Sequence, residues 1–144
     1  MEARFCMSEK IDVVKKWIEK GDHDLGTAQI TFIHIPKYQD TIAFHCQQAS
    51  EKYLKSCLVF FEIQFGRSHD LNYLLSLLSK KIEIENQLFD KASRLSDFSV
   101  EIRYPDTTIE LSDEDTNQAI ILAKEFREFV LNRMNLSIDQ ENIS

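Results

Sequence analysis

Six polar side chains fall within eleven residues of a Gly- and Pro-free stretch, Gln39–Phe61: His45, Gln47, Gln48, Glu51, Lys52 and Lys55. Farther along, His69 and Asp70 follow Gly66, and Arg103 and Tyr104 precede Pro105. These types are suited to recognition. Gln48 and His69 can donate and accept hydrogen bonds to a base or a ribose, while Lys52, Lys55 and Arg103 offer charge to a phosphate and Tyr104 offers a stacking face. A plainer reading stays open beside it. Glu51, Lys52 and Lys55 then form i, i+4 pairs on one wet helix face, worth about 0.3–0.5 kcal/mol each, and Arg103 and Tyr104 pin the loop before Pro105.

The elements that would position these groups are helical. Within Gln39–Phe61 the apolar residues Ile42, Cys46, Ala49, Tyr53, Cys57 and Phe61 recur at helical spacing, and Ala43, Leu54 and Leu58 widen the stripe as in a central helix packed by several neighbours. Before it, Val14, Trp17, Ile18, Gly21, Leu25 and Ala28 predict a long helix from about Glu9 to Ile33. Gly21 sits on that apolar stripe, where it costs about 1 kcal/mol against Ala; close approach of a second helix would justify it. Asp22, His23 and Asp24 could be a metal pair or a surface patch, and because consecutive helical positions point in different directions the surface is the better reading. Pro36 ends this helix, and 34–40 is a short connection.

Gly66, within 64–68, is expected to close the central helix, and Ser68 to cap a third helix striped by Leu71, Leu74, Leu75 and Leu78, with Asp70 in its first turn. A fourth helix is predicted from about Glu83 to Phe98, then an extended piece over 100–106 and a linker over 107–111. Ser112 with Asp115 makes a capping box for a fifth helix striped by Ala119, Leu122, Ala123, Phe126, Phe129 and Val130. Ile120, Ile121 and Leu131 fall partly outside that stripe, which suggests a partner subunit. The expected fold is all-α, an up-and-down antiparallel bundle of four or five helices over residues 9–134, with a loose arm at 1–8 and a fraying polar tail at 135–144.

Composition narrows the function classes. The 144 residues carry a net charge of −7, with only three Gly and two Pro, which argues against a glycine-lined nucleotide fold. Residues 1–100 hold 13 basic and 14 acidic side chains, residues 101–144 hold 4 and 10, so the acidity sits in the last third. An overall acidic chain is a poor non-specific binder of phosphate backbones, which demand clustered Lys and Arg, so any nucleic-acid contact would have to be local and built from the neutral part. No apolar run is long enough to span a membrane and the N-terminus lacks a secretory core, so the expected location is cytoplasmic. Cys6, Cys46 and Cys57 are odd in number and form no C-x-x-C pair, which supports buried reduced thiols and neither a disulfide framework nor a zinc site. No cofactor is expected.

Several pieces together resemble the HEPN family, the nucleotide-binding domains of higher eukaryotes and prokaryotes. They are Trp17, Asp24-Leu25 and Ala28; then Phe44-His45-Cys46-Gln47-Gln48-Ala49-Ser50-Glu51-Lys52-Tyr53-Leu54-Lys55; then His69-Asp70-Leu71; then Arg103-Tyr104-Pro105-Asp106. They occur in the family's order over roughly residues 10–134. The resemblance implies a helical bundle that commonly forms a homodimer and is often paired with a small nucleotidyltransferase, in toxin–antitoxin-like or accessory roles. Nuclease members carry an Arg followed, after four to six residues, by a His near the start of the last helix. Here none of Arg4, Arg67, Arg94, Arg103, Arg127 and Arg133 has a His at that spacing, and no His follows His69. Since an acid or base must reach the proton it moves, the family's usual route to RNA cleavage is absent and no catalytic residue is assigned.

The first functional expectation is therefore a non-catalytic binding module that holds a nucleotide or RNA, serves a nucleotidyltransferase partner, or does both. It uses Gln48, Lys52, Lys55, His69, Asp70, Arg103 and Tyr104. The alternative is a divergent ribonuclease that rebuilds a site from His45, His69 and Arg103. A third reading is a purely structural partner that turns its acidic last third toward a basic protein.

Overall fold

The computed structural model describes residues 6–101 and 111–140. Five helices follow one another: α1 (Met7–His34), α2 (Gln39–Phe60), α3 (Leu71–Leu78), α4 (Asn86–Glu101) and α5 (Asp113–Met134), with no strand among the described residues. They form an up-and-down all-α bundle in which α2 packs against each of the other four helices. None of them is long and apolar enough to cross a membrane. The α2 stripe is buried through Leu58, with Ile42, Ala43, Cys46, Ala49, Tyr53, Leu54, Cys57 and Leu58 all fully covered, whereas Phe61, its last expected member, is the C-cap and only partly buried.

Gly21 has the role its position suggests. A Cβ built there would stand 2.6 Å from Cε1 and 2.8 Å from Cδ1 of the Tyr53 ring, so only glycine lets α1 and α2 come this close. Beneath the ring edge, the Tyr53 hydroxyl donates to Asp22 Oδ1 at 2.6 Å.

The ends of the helices are set by different residues than the sequence suggests. Glu62, not Gly66, closes α2: it takes a left-handed conformation (φ 56°), its N–H donates to Val59 O, and the Ile63 N–H donates to Leu58 O. That pair of bonds is a Schellman motif, formed here without glycine because Ile63 is drawn onto the core. Asp70, not Ser68, caps α3, accepting from the N–H groups of Asn72 and Tyr73; Ser68 Oγ instead accepts from Asp70 N, one step upstream. α4 begins three residues later than its pattern predicts, and Val100 and Glu101 are helical rather than extended; the rest of 100–106 and the linker up to residue 110 lie outside the described residues. The Ser112–Asp115 capping box of α5 is present as expected.

Two expectations about the C-terminal third need correction. Ile120 and Leu131 are buried within the single chain, 6% exposed each, because α5 is covered by α1, α2 and α4; Ile121 alone stands out, at 39%. The two-sided apolar character of α5 therefore carries no independent argument for a partner. The segment after α5 also does not fray as far as residue 140. Asn135 turns the chain in a second Schellman motif, Leu136 and Ile138 pack on the core, and Gln140 Nε2 donates to Gln29 Oε1 at 3.0 Å. At the other end Met7 and Ser8 already belong to α1, and residues 1–5 of the expected arm lie outside the described residues.

Candidate functional site

Successive residues of a helix are turned by about 100°, which sorts the polar side chains of α2 into two groups. His45 and Lys52, seven apart, face α1. Gln47, Glu51 and Lys55, spaced by four, point about a third of a turn away, toward the loop before α3 and toward α4.

The first group closes on Asp24. His45 Nδ1 lies 2.8 Å from Asp24 Oδ1, and the Lys52 ammonium donates to Oδ2. Asp22, two residues earlier on α1, takes Arg127 of α5 in a two-pronged pair, Nε to Oδ1 at 2.8 Å and Nη2 to Oδ2 at 3.1 Å, and the same Nη2 donates to Ile138 O. Hydrogen bonding to Asp22 holds the guanidinium's pKa up, while burial, with the Asp22 carboxylate beside it, pushes the Tyr53 phenol far above its ordinary value. The surface patch expected at 22–24 thus reduces to exposed His23; Asp22 and Asp24 are interior staples.

The second group is built on Glu51, whose carboxylate is buried. Its Oε2 accepts from Lys55 Nζ at 3.0 Å and its Oε1 lies 2.9 Å from His69 Nδ1. Lys55 is itself buried, with its ammonium 5.7 Å from the Trp17 ring centroid and 5.8 Å from that of Phe65. The Glu51–Lys55 pair does have the expected i, i+4 spacing, yet the face is dry. Gln47 Nε2 donates to the His69 carbonyl at 3.1 Å, and Gln47 Oε1 accepts from Ser96 Oγ. His69 is thereby held at both ring and backbone while its side chain stays 73% exposed.

His69 stands at a cleft of about 650 Å³ walled by Phe44, Gln47 and Gln48 of α2, by His69 and Asp70 from the loop, and by Ser96 and Ser99 of α4. Two other hollows are of similar size. One of about 680 Å³ lies between α1 and residues 137–140, and one of about 600 Å³ lies between α4 and α5. The 650 Å³ cleft is the one in which an imidazole, two amides and two hydroxyls converge from three elements. It has the volume of an ordinary small-molecule site.

Of the residues chosen from the sequence, Gln48, His69 and Asp70 meet at this cleft. Lys52 and Lys55 do not line it, being bound to Asp24 and Glu51, and His45 belongs to the Asp24 group, turned toward α1. Arg103 and Tyr104 lie outside the described residues. Sequence reasoning does not single out Gln47 and Glu51 as site residues, though their four-residue spacing on one face of the central helix is a usable signal. Ser96, Ser99 and Phe44 give none.

Two solved structures share this architecture. ST0689, an archaeal HEPN homologue, superposes with a TM-score of 0.67 at 24% identity, covering 84% of this chain and 97% of that one. TT1696 from Thermus thermophilus gives a TM-score of 0.70 at 24% identity, covering 83% and 97%. No curated protein matches the chain. The family profile of the HEPN domain matches residues 14–134, from the first buried residue of α1 to the last residue of α5, and the chain belongs to the HEPN domain family.

Proposed function

We propose that this chain is a non-catalytic HEPN binding module. It holds a nucleotide by the nucleoside part and acts as a dimeric accessory partner of a small nucleotidyltransferase. The observation that carries the ligand half is the cleft between α2, the His69–Asp70 loop and α4. Its described lining is rich in neutral hydrogen-bonding groups and contains no Lys or Arg, which suits a base and a ribose better than a bare phosphate. Asp70 adds a carboxylate, already occupied by the N-terminal amides of α3. Calorimetry with ATP, GTP and short RNA tests it. Heat of binding that survives removal of the phosphates supports the nucleoside reading, and flat traces from a folded protein remove it. Co-expression with a small nucleotidyltransferase, followed by co-purification, tests the partner half, and a monomeric mass at high concentration counts against the dimer.

One observation favours a second reading, a divergent ribonuclease. A buried carboxylate on the Nδ1 of an exposed histidine is the arrangement that orients an imidazole for proton transfer. The rebuilt His45/His69/Arg103 site is not supported, because His45 is bound to Asp24 in the other group. Transfer or messenger RNA cleaved by the wild type and left intact by His69→Ala would favour the enzyme over the binder.

A further inference from the structure

We infer that Glu51 is a positioning residue that fixes the tautomer of His69, and that His69 selects the ligand of the cleft by accepting a hydrogen bond from one of the ligand's N–H or O–H groups at Nε2. The inference rests on the nucleoside reading of the cleft and adds the atom that reads the ligand.

A carboxylate can only accept, so the ring nitrogen 2.9 Å from Glu51 Oε1 must carry the hydrogen. In the neutral ring the other nitrogen is then an acceptor. Free histidine has no such constraint. Here it is imposed by a carboxylate that cannot easily turn away, because Glu51 is buried and its second oxygen is held by Lys55, itself packed against Trp17 and Phe65. The backbone that carries the ring is held as well. Its own carbonyl is held by Gln47, and Asp70 next to it is fixed as the cap of α3. Of the groups that converge on the cleft, the Gln48 amide and the Ser99 hydroxyl can each both donate and accept, and Ser96, whose hydrogen reaches Gln47 only across 3.5 Å, can turn it to a ligand instead. They accommodate a ligand without choosing its polarity. The Nε2 of His69 is different, because its polarity is set from behind by Glu51. A ligand with a donor at that place is held, and one with an acceptor meets an unpaired lone pair.

The test uses the whole chain with nitrogen-15-labelled histidine. The spectrum should show His69 protonated on Nδ1 in the neutral state, and Glu51→Gln should shift it toward the Nε2–H tautomer, since Lys55 can only donate and takes the amide oxygen, which leaves the amide NH2 facing Nδ1. An Nε2–H tautomer in the wild type overturns the inference even if nucleosides bind. The second arm measures binding of adenosine, purine riboside (no exocyclic amine) and 2′- and 3′-deoxyadenosine (one hydroxyl fewer each). One of these deletions should weaken wild-type binding about five- to tenfold, the range for a single neutral hydrogen bond, and the same deletion should have no effect in His69→Ala. A deletion penalty of unchanged size in His69→Ala overturns the selection. Absence of binding by all four overturns the nucleoside reading together with the selection, an outcome distinct from binding that ignores His69.

Discussion

Two carboxylates of this bundle each hold one histidine and one lysine, and the group at Glu51 stands at the cleft described above. Asp24 takes His45 and Lys52 between α1 and α2, with all three side chains about a quarter exposed or less. Glu51 takes Lys55 on the buried side and His69 on the outer side, where the imidazole is mostly in water. The residue types are the same and the consequences differ. In the Asp24 group every member joins two helices and none lines the three hollows described above, so the group is a staple. In the Glu51 group the staple and the proposed reader are separate: Lys55 locks the carboxylate and His69 faces outward. A carboxylate, a histidine and a lysine at helical spacing therefore do not announce a site. What makes one is an imidazole left free on the side away from its anchor.

The largest way to break the contrast is Glu51→Ala. It strands the Lys55 ammonium beneath Trp17 and Phe65, and removing one member of a buried ion pair costs about 3–5 kcal/mol. Urea denaturation should show that loss. Glu51→Gln, which keeps an acceptor for Lys55, should lose clearly less.

The third face of α2, which carries neither group, sets a background against which both must be read. Burial pushes the thiols of Cys46 and Cys57 up to about 12 from an ordinary 9.0. Between those values the unfolded chain has released protons that the folded chain still holds, so stability falls as pH rises. The contribution is complete below pH 9 and disappears at up to about 1.4 kcal/mol per pH unit for each thiol above it, with Tyr53 adding to the same slope. Denaturation midpoints taken from pH 8 to 10.5 should therefore decline, and Cys57→Ala should flatten the decline while lowering stability throughout.

Asp24→Ala comes next. It releases His45 and Lys52 together, but both can reach water, so the loss should be about 1–3 kcal/mol, below that of Glu51→Ala. An equal or larger loss would mean that the Asp24 group, not the Glu51 group, is the one held away from solvent.

How much of this is legible in the sequence follows from how far apart the partners lie. The α2 stripe, the Ser112–Asp115 box and the tight approach at Gly21 depend on spacing within one element, and spacing is what a sequence displays. Asp22 reads as surface because its partner, Arg127, is 105 residues away and nothing local links the two. Glu51 and Lys55 look like a wet i, i+4 pair whether or not an aromatic lid covers them, and the lid comes from Trp17 and Phe65 on other elements. Glu62 closes α2 in a left-handed turn that Gly66 would adopt more easily, because the pull of Ile63 onto the core fixes the turn where it is. The cleft is half visible: Gln48, His69 and Asp70 are marked by their motifs, whereas Ser96 and Ser99 are ordinary helix residues until α4 is laid beside α2.

The finest distinction between the two groups is the pair His45→Ala and His69→Ala. His69 is largely solvated, and one hydrogen bond from so exposed a ring contributes about 1 kcal/mol or less, so its removal should barely move the denaturation midpoint. His45 is three-quarters covered, and its ring also packs edge-on against Phe44 at 5.3 Å between centroids; its loss should be measurably larger, about 1–2 kcal/mol. Ligand binding should order the two variants the other way, with His69→Ala impaired and His45→Ala retaining the wild-type affinity. A staple and a reader built from the same residue types are told apart by that inversion, because stability reports what a side chain holds together and affinity reports what it leaves free.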